Sequence, residues 1–269
     1  MRPLFHAFRA HRVRYLIIGG QASILYGAAY FSQDLDLWIK PTKNNVRNFI
    51  DALESLDARF HKLTPPMTGS YLRRGHGFHF LVPLKGGALY LDVMGRPPRV
   101  GGFQAAWKRS ESMQTPWGRL PVVSIQDLVE LKKTNRPADY DVITRLAMIR
   151  LGQVEAPRPG LLRWTLDHLF RVEDLVEVLL QFESLMGPLA PPGMGWVRWW
   201  KAVLRRGGRP TASEMDGAAR RLGTKAQRLQ ALGRRYWIPL IDELRRLRSE
   251  GRLLPEGACV TQAIAIRRD

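Results

Sequence analysis

The sequence predicts an α+β protein: a mixed sheet flanked by helices, followed by an all-helical C-terminal region. Three observations carry this. Short apolar runs at 14–18, 35–39 and 88–94 read as buried strands, the first β-branched and closed by Gly19-Gly20. From Ser124 onward, apolar residues recur at helical spacing instead. A chain of 269 residues is long for one compact domain and comfortable for two. The expected division is 1–123 and 124–269, with the first helices of the second part, 124–150, packing on the site carried by the first.

In chain order, Arg14 to Ile18 is a buried strand closed by the Gly19-Gly20 turn, and Gln21 to Tyr26 is a short helix stopped at Gly27. Leu35 to Ile39 returns as a strand, in which Asp34 and Asp36, two positions apart, leave one face. Thr42 caps an amphipathic helix carrying Val46, Phe49, Ile50, Leu53 and Leu56. Tyr71 to Pro83 and Ala88 to Met94 read as two strands joined by Lys85-Gly86-Gly87. Leu120 to Val123 is one more extended piece.

Ser124 with Asp127 then forms a capping-box-like helix start, and a second helix runs from Ala138 to Arg150. Beyond the Pro- and Gly-containing stretch 156–160, a long helix is expected at 161–186 and a loop at 188–195. A tryptophan-rich helix at 196–205 and one or two basic helices at 217–248 complete the chain.

Composition narrows the function. No apolar run reaches the roughly 20 residues that span a bilayer. The apolar run after the basic stretch 1–14 is too short for a signal peptide, so a cytoplasmic protein without membrane contact is expected. A single cysteine, Cys259, excludes disulfide frameworks and cysteine metal clusters. A net charge of +18 draws polyanions and points to nucleic acid as a partner.

The chemistry concentrates in three aspartates. Asp36 interrupts the apolar run Leu35, Leu37, Trp38, Ile39, and Asp92 interrupts Leu89 to Met94, where an unpaired carboxylate is costly. Two acids on one strand face, with a third from another strand, supply the hard oxygen ligands that Mg²⁺ (or Mn²⁺) takes beside substrate phosphates. The Gly19-Gly20 turn lets phosphate approach backbone N–H groups. His76 and His79 suggest a second metal pair, but without a third ligand strand packing is the preferred reading. Trp196, Trp199 and Trp200 beside Arg198, Arg205 and Arg206 are read first as core and second as a base-stacking surface.

Gly19-Gly20, the following residues to Gly27, and Ser32 to Asp36 together resemble the signature of the DNA polymerase β-like nucleotidyltransferase superfamily: a Gly-Gly or Gly-Ser turn followed about a dozen residues later by Asp-x-Asp. Ser124 to Lys132, with Arg136 and Asp139 to Asp141, resembles its AbiEii-type and minimal-nucleotidyltransferase branch, which includes toxins of toxin–antitoxin systems. The resemblance covers about the first 150 residues. It implies that Asp34 and Asp36 bind metal, and that Asp92 completes the metal site and acts as base for the acceptor hydroxyl. It also implies that Gly19, Gly20 and Ser32 form the nucleotide site, with Lys132 as the charge partner of the triphosphate. Tyr30 stands where many relatives have Arg, Ser32 where they have Thr, and Gly20 where other branches have Ser.

The function expected is transfer of NMP from an NTP to a hydroxyl, with tRNA-like RNA the preferred acceptor on account of the basic surface, and with a toxin role and a cognate antitoxin following from the resemblance alone. Two alternatives stand beside it: transfer to a small molecule or protein, and a non-catalytic, antitoxin-like module that binds nucleotide or nucleic acid.

Overall fold

The computed structural model of the protein describes residues 1–185 and 195–262. Met1–Leu131 and the described residues from Arg235 onward form one compact unit, and the described residues of Lys132–Arg234 form another.

The first unit contains α1 (Arg2–Ala10), β1 (Tyr15–Ile18), α2 (Gly19–Leu25), β2 (Asp34–Ile39), α3 (Lys43–Glu54), β3 (Arg59–Phe60) and α4 (Gly69–Arg74). It continues with β4 (Gly77–Leu84), β5 (Gly87–Met94), α5 (Phe103–Arg109), β6 (Glu111–Thr115), β7 (Gly118–Val122) and α6 (Ile125–Leu131). Among the described residues the strands make one mixed sheet of seven, in the order β3-β4-β5-β2-β1-β7-β6. The β2–β5 and β1–β7 pairs are parallel, and the other neighbours are antiparallel.

Strict alternation sorts the side chains onto two faces. Tyr15, Ile17, Leu37, Phe78, Phe80, Leu91 and Val93 are buried on one face. There the Phe8 ring meets Tyr15 and Phe49, and Phe49 meets Phe80, at centroid distances of 5.1, 5.5 and 5.8 Å. Helices α1 and α3, which carry Phe8 and Phe49, therefore cover this face. On the other face Trp38 packs edge-on against Phe103 of α5 at 5.8 Å, and its indole N–H donates to Gly95 O at 3.0 Å. The polar positions of β2, β4 and β5 remain half-buried on that face.

The stretch expected as a single strand from Tyr71 to Pro83 is divided. Tyr71 to Arg74 is helix α4, not strand, and the strand begins at Gly77. Thr68 caps the helix by accepting the Tyr71 N–H at 3.3 Å, and Gly75, with φ +98°, ends it in the left-handed conformation. Elements α1, β3, α5 and β6 had no counterpart in the expectation. The expected helix start at Ser124 carries one half of a capping box: its Oγ accepts the Asp127 N–H at 3.2 Å. The Asp127 carboxylate takes two hydrogen bonds from Arg109, at 2.8 and 3.0 Å. This forked pair holds the Arg109 guanidinium pKa above its usual value.

The second unit contains α7 (Ala138–Gly152), α8 (Pro159–Asp167), α9 (Val172–Gln181), a 3₁₀ turn at Glu183–Leu185 and α10 (Gly195–Leu204). Helix α11 (Ala212–Ser249) runs 38 residues, with Pro239 inside it. The single helix expected at 161–186 is broken at 168–171, because Phe170 is held by α7. Its N–H donates to Thr144 Oγ1 at 2.9 Å and its ring meets Tyr140 edge-on. Met186 and most of the expected loop, 188–194, lie outside the described residues. Leu162, Leu166, Leu175, Val178, Val197, Trp200 and Leu222 form the core, with Trp196 and Trp199 packed against it. Trp200 is 1% exposed, so its indole is core and not a surface for bases.

Lys225 lies in this unit with its ammonium over the Phe170 ring at 4.5 Å. Burial pulls its pKa down from 10.5 to about 8, reinforced by Lys133 and opposed by Asp167. The unfolded chain holds this proton more tightly, so the penalty is fully present below pH 8 and fades as pH rises toward 10.5. Lys225→Met is expected to stabilise the protein at pH 7 by about 1–2 kcal/mol. In urea titrations that advantage should shrink at pH 9.5. An equal advantage at both pH values would contradict this account of the lysine.

Among the described residues no helix is long and apolar enough to cross a membrane.

Candidate active site

The half-buried face of the sheet brings the expected acids together through strand register. In the parallel β2–β5 pair Asp36 stands opposite Asp92, and Asp34 opposite Tyr90. Paired residues on neighbouring strands share a face, about 4.8 Å apart in backbone spacing. Across the antiparallel β4–β5 pair, His79 stands opposite Asp92. Asp36, Asp92 and His79 thus form a row across three strands, flanked on β1 by Ile18.

Each carboxylate of the row meets a donor. Asp36 Oδ2 accepts the Gly20 N–H at 3.1 Å, and Asp92 Oδ1 is 2.7 Å from His79 Nδ1. The two glycines are required by close approach. A Cβ on Gly19, whose φ is +64°, would lie 2.0 Å from Asp36 Oδ2, and one on Gly20 would lie 2.2 Å from Ser32 Oγ. Ser32 Oγ donates to Asp34 O at 3.0 Å and fixes the start of β2. Gly19, Gly20 and Ser32 shape the carboxylates' surroundings. Helix α6 packs against α2 within the same unit.

Lys132 belongs to the second unit, where its ammonium pairs with Asp139 Oδ1 at 2.9 Å. Thr134 Oγ1 donates to the other oxygen of Asp139 at 2.5 Å. This pair is a structural one, and a phosphate role for Lys132 rests on the resemblance alone. His76 and His79 do not form a metal pair. His76, 1% exposed, bonds Glu243 of α11 at 2.7 Å, while His79 bonds Asp92.

The donor set suits a hard divalent cation: three carboxylates, two of them opposed in parallel register. Mg²⁺ is commonly held by one or two carboxylates with phosphate and water completing the shell, and the Asp36–Asp92 pair meets that need. The side chains as they stand are turned toward Gly20 and His79, and among the described residues no three His, Cys, Asp or Glu are gathered as a metal site.

The sequence shows His79 on a strand but not its partner. The alternation in β4 gives its face, while only the β4–β5 register places it against Asp92.

No family model matches the chain, and no curated protein matches it. A solved structure from Thermotoga maritima, provisionally assigned as a nucleotidyltransferase, is similar at 15% identity and a TM-score of 0.32. The match covers 57% of this chain and 83% of that one.

Proposed function

We propose that the protein is a metal-dependent nucleotidyltransferase of the polymerase β-like kind, moving NMP from an NTP to a hydroxyl of RNA. The observation that supports this best is the parallel register that sets Asp36 against Asp92, with Asp34 on the same face. Three acids share one half-buried face of the sheet, two of them directly opposed, which is the disposition that hard divalent cations take beside substrate phosphates.

Asp34, Asp36 and Asp92 would hold Mg²⁺ or Mn²⁺, which supplies charge neutralisation at the triphosphate and at the leaving pyrophosphate. Asp92 takes the proton of the acceptor hydroxyl as its oxygen bonds to the α-phosphorus. The bond from that phosphorus to the pyrophosphate oxygen breaks. Gly19 and Gly20 keep side chains out of the space beside Asp36, where the triphosphate would lie, and Ser32 holds the start of β2. A phosphate role for Lys132 follows from the resemblance alone.

RNA is the favoured acceptor because the chain carries +18 and exposes Arg205, Arg209, Arg220, Arg221, Arg234 and Arg235. The toxin role, the cognate antitoxin and the AbiEii-type assignment belong to this proposal through the resemblance.

The test is incubation with each NTP, labelled on the α-phosphate, with Mg²⁺ and total RNA. Label is expected in RNA, from one base above the others. RNA affinity is also expected to fall steeply with salt, roughly 10³-fold or more between 50 and 200 mM for six or more phosphate contacts. Label in protein or a small molecule would move the acceptor. Nucleotide binding without any label would leave a binding module.

A further inference from the structure

We propose that His79 is a positioning residue for Asp92, fixing which carboxylate oxygen a bound cation meets. The inference rests on the metal-dependent reading above and assigns a role to a residue outside the three acids.

His79 and Asp92 are register partners on adjacent antiparallel strands, with Nδ1 and Oδ1 2.7 Å apart. A carboxylate only accepts, so Nδ1–H donates and Oδ1 is pinned toward β4. Oδ2 takes no part in that bond and is the oxygen left for a cation shared with Asp36, which stands directly opposite Asp92 across the parallel β2–β5 pair. Without the imidazole, the carboxylate of a side chain 32% exposed turns freely about its terminal torsion and must be ordered each time it takes a cation.

Histidine as a mere cross-strand packing partner predicts something different. Such pairs contribute about 0.2–1 kcal/mol to stability and leave metal affinity alone. A hydrogen bond behind a metal ligand typically changes metal affinity by roughly 10–100-fold.

The experiment measures Mn²⁺ binding to the intact protein by electron paramagnetic resonance. Mn²⁺ is used alone and with a mixture of the four α,β-imido nucleoside triphosphates, which resist cleavage at the reacting bond. Wild type, His79→Ala, His79→Asn and Asp36→Asn are compared, with melting temperatures recorded for each. His79→Ala is expected to bind Mn²⁺ roughly 10–100-fold more weakly while melting within a few degrees of wild type. His79→Asn, whose amide N–H occupies the place of Nδ1–H, is expected to recover most of the affinity. Equal affinity in wild type and His79→Ala, with Asp36→Asn impaired, overturns the positioning role and leaves the metal reading intact. No recovery in a folded His79→Asn also overturns it. No Mn²⁺ binding by wild type under either condition overturns both.

Discussion

Asp36→Asn is expected to lower NMP transfer by about 10³-fold or more, the several kcal/mol that loss of a cation-bound carboxylate removes from transition-state stabilisation. The fold should tolerate it. An amide oxygen in place of Oδ2 still accepts the Gly20 N–H, and the repulsion between Asp36 and the opposed Asp92 is relieved. The metal-free variant should therefore melt at or slightly above the wild-type temperature. Wild type should gain melting temperature when Mg²⁺ is added, through binding to the native state alone, and Asp36→Asn should gain little. Transfer above a tenth of wild type would remove the carboxylate row from the reaction.

Gly19→Ala should damage both stability and the site, because two costs fall on one residue. Gly19 has φ +64°, a conformation worth about 1–2 kcal/mol against an L side chain. Its new Cβ would also lie 2.0 Å from Oδ2 and 2.7 Å from Cβ of Asp36. The Asp36 backbone cannot yield, being paired with Ile18 on one side and Asp92 on the other. Its side chain must rotate off the Gly20 N–H. The expected result is a loss of about 2–4 kcal/mol in denaturant titrations, with at least a 10²-fold fall in transfer. Gly27→Ala is the control. Gly27 has φ +83° but nothing within 4 Å of the added Cβ, so only the backbone cost of about 1 kcal/mol applies. Equal losses in the two variants would show that the collision with Asp36 is not what holds Gly19.

Much of this was legible before any fold. The runs at 15–18, 34–39 and 87–94 became strands because β-branched and apolar residues there fit a pleated, buried surface. Asp36 and Asp92 stand out because each is a carboxylate in such a run. The helix starting at Ser124 was visible in its cap, and the helix at Ala138 in its periodicity. Other elements left little trace. Strand β6 is Glu-Ser-Met-Gln-Thr, an edge strand that only pairing with β7 makes extended. Helix α4 depends on Thr68 and Gly75 at its ends, while its six residues read equally well as strand. The break after α8 exists because Phe170 bonds Thr144, 26 residues away.

What the sequence determined by itself is therefore local: which segments are apolar, with what period, and where charge interrupts them. Tertiary structure alone decided that Asp36 faces Asp92, that His79 stands behind Asp92, and that residues from Arg235 onward return to the first unit, where Glu243 bonds His76. The physical reason is that periodicity follows from neighbours a few residues apart. Register is set by pairing between strands, across a long stretch of chain for Asp36 and Asp92 and through the tight β4–β5 hairpin for His79, and a shift of one residue would send each of these side chains to the opposite face.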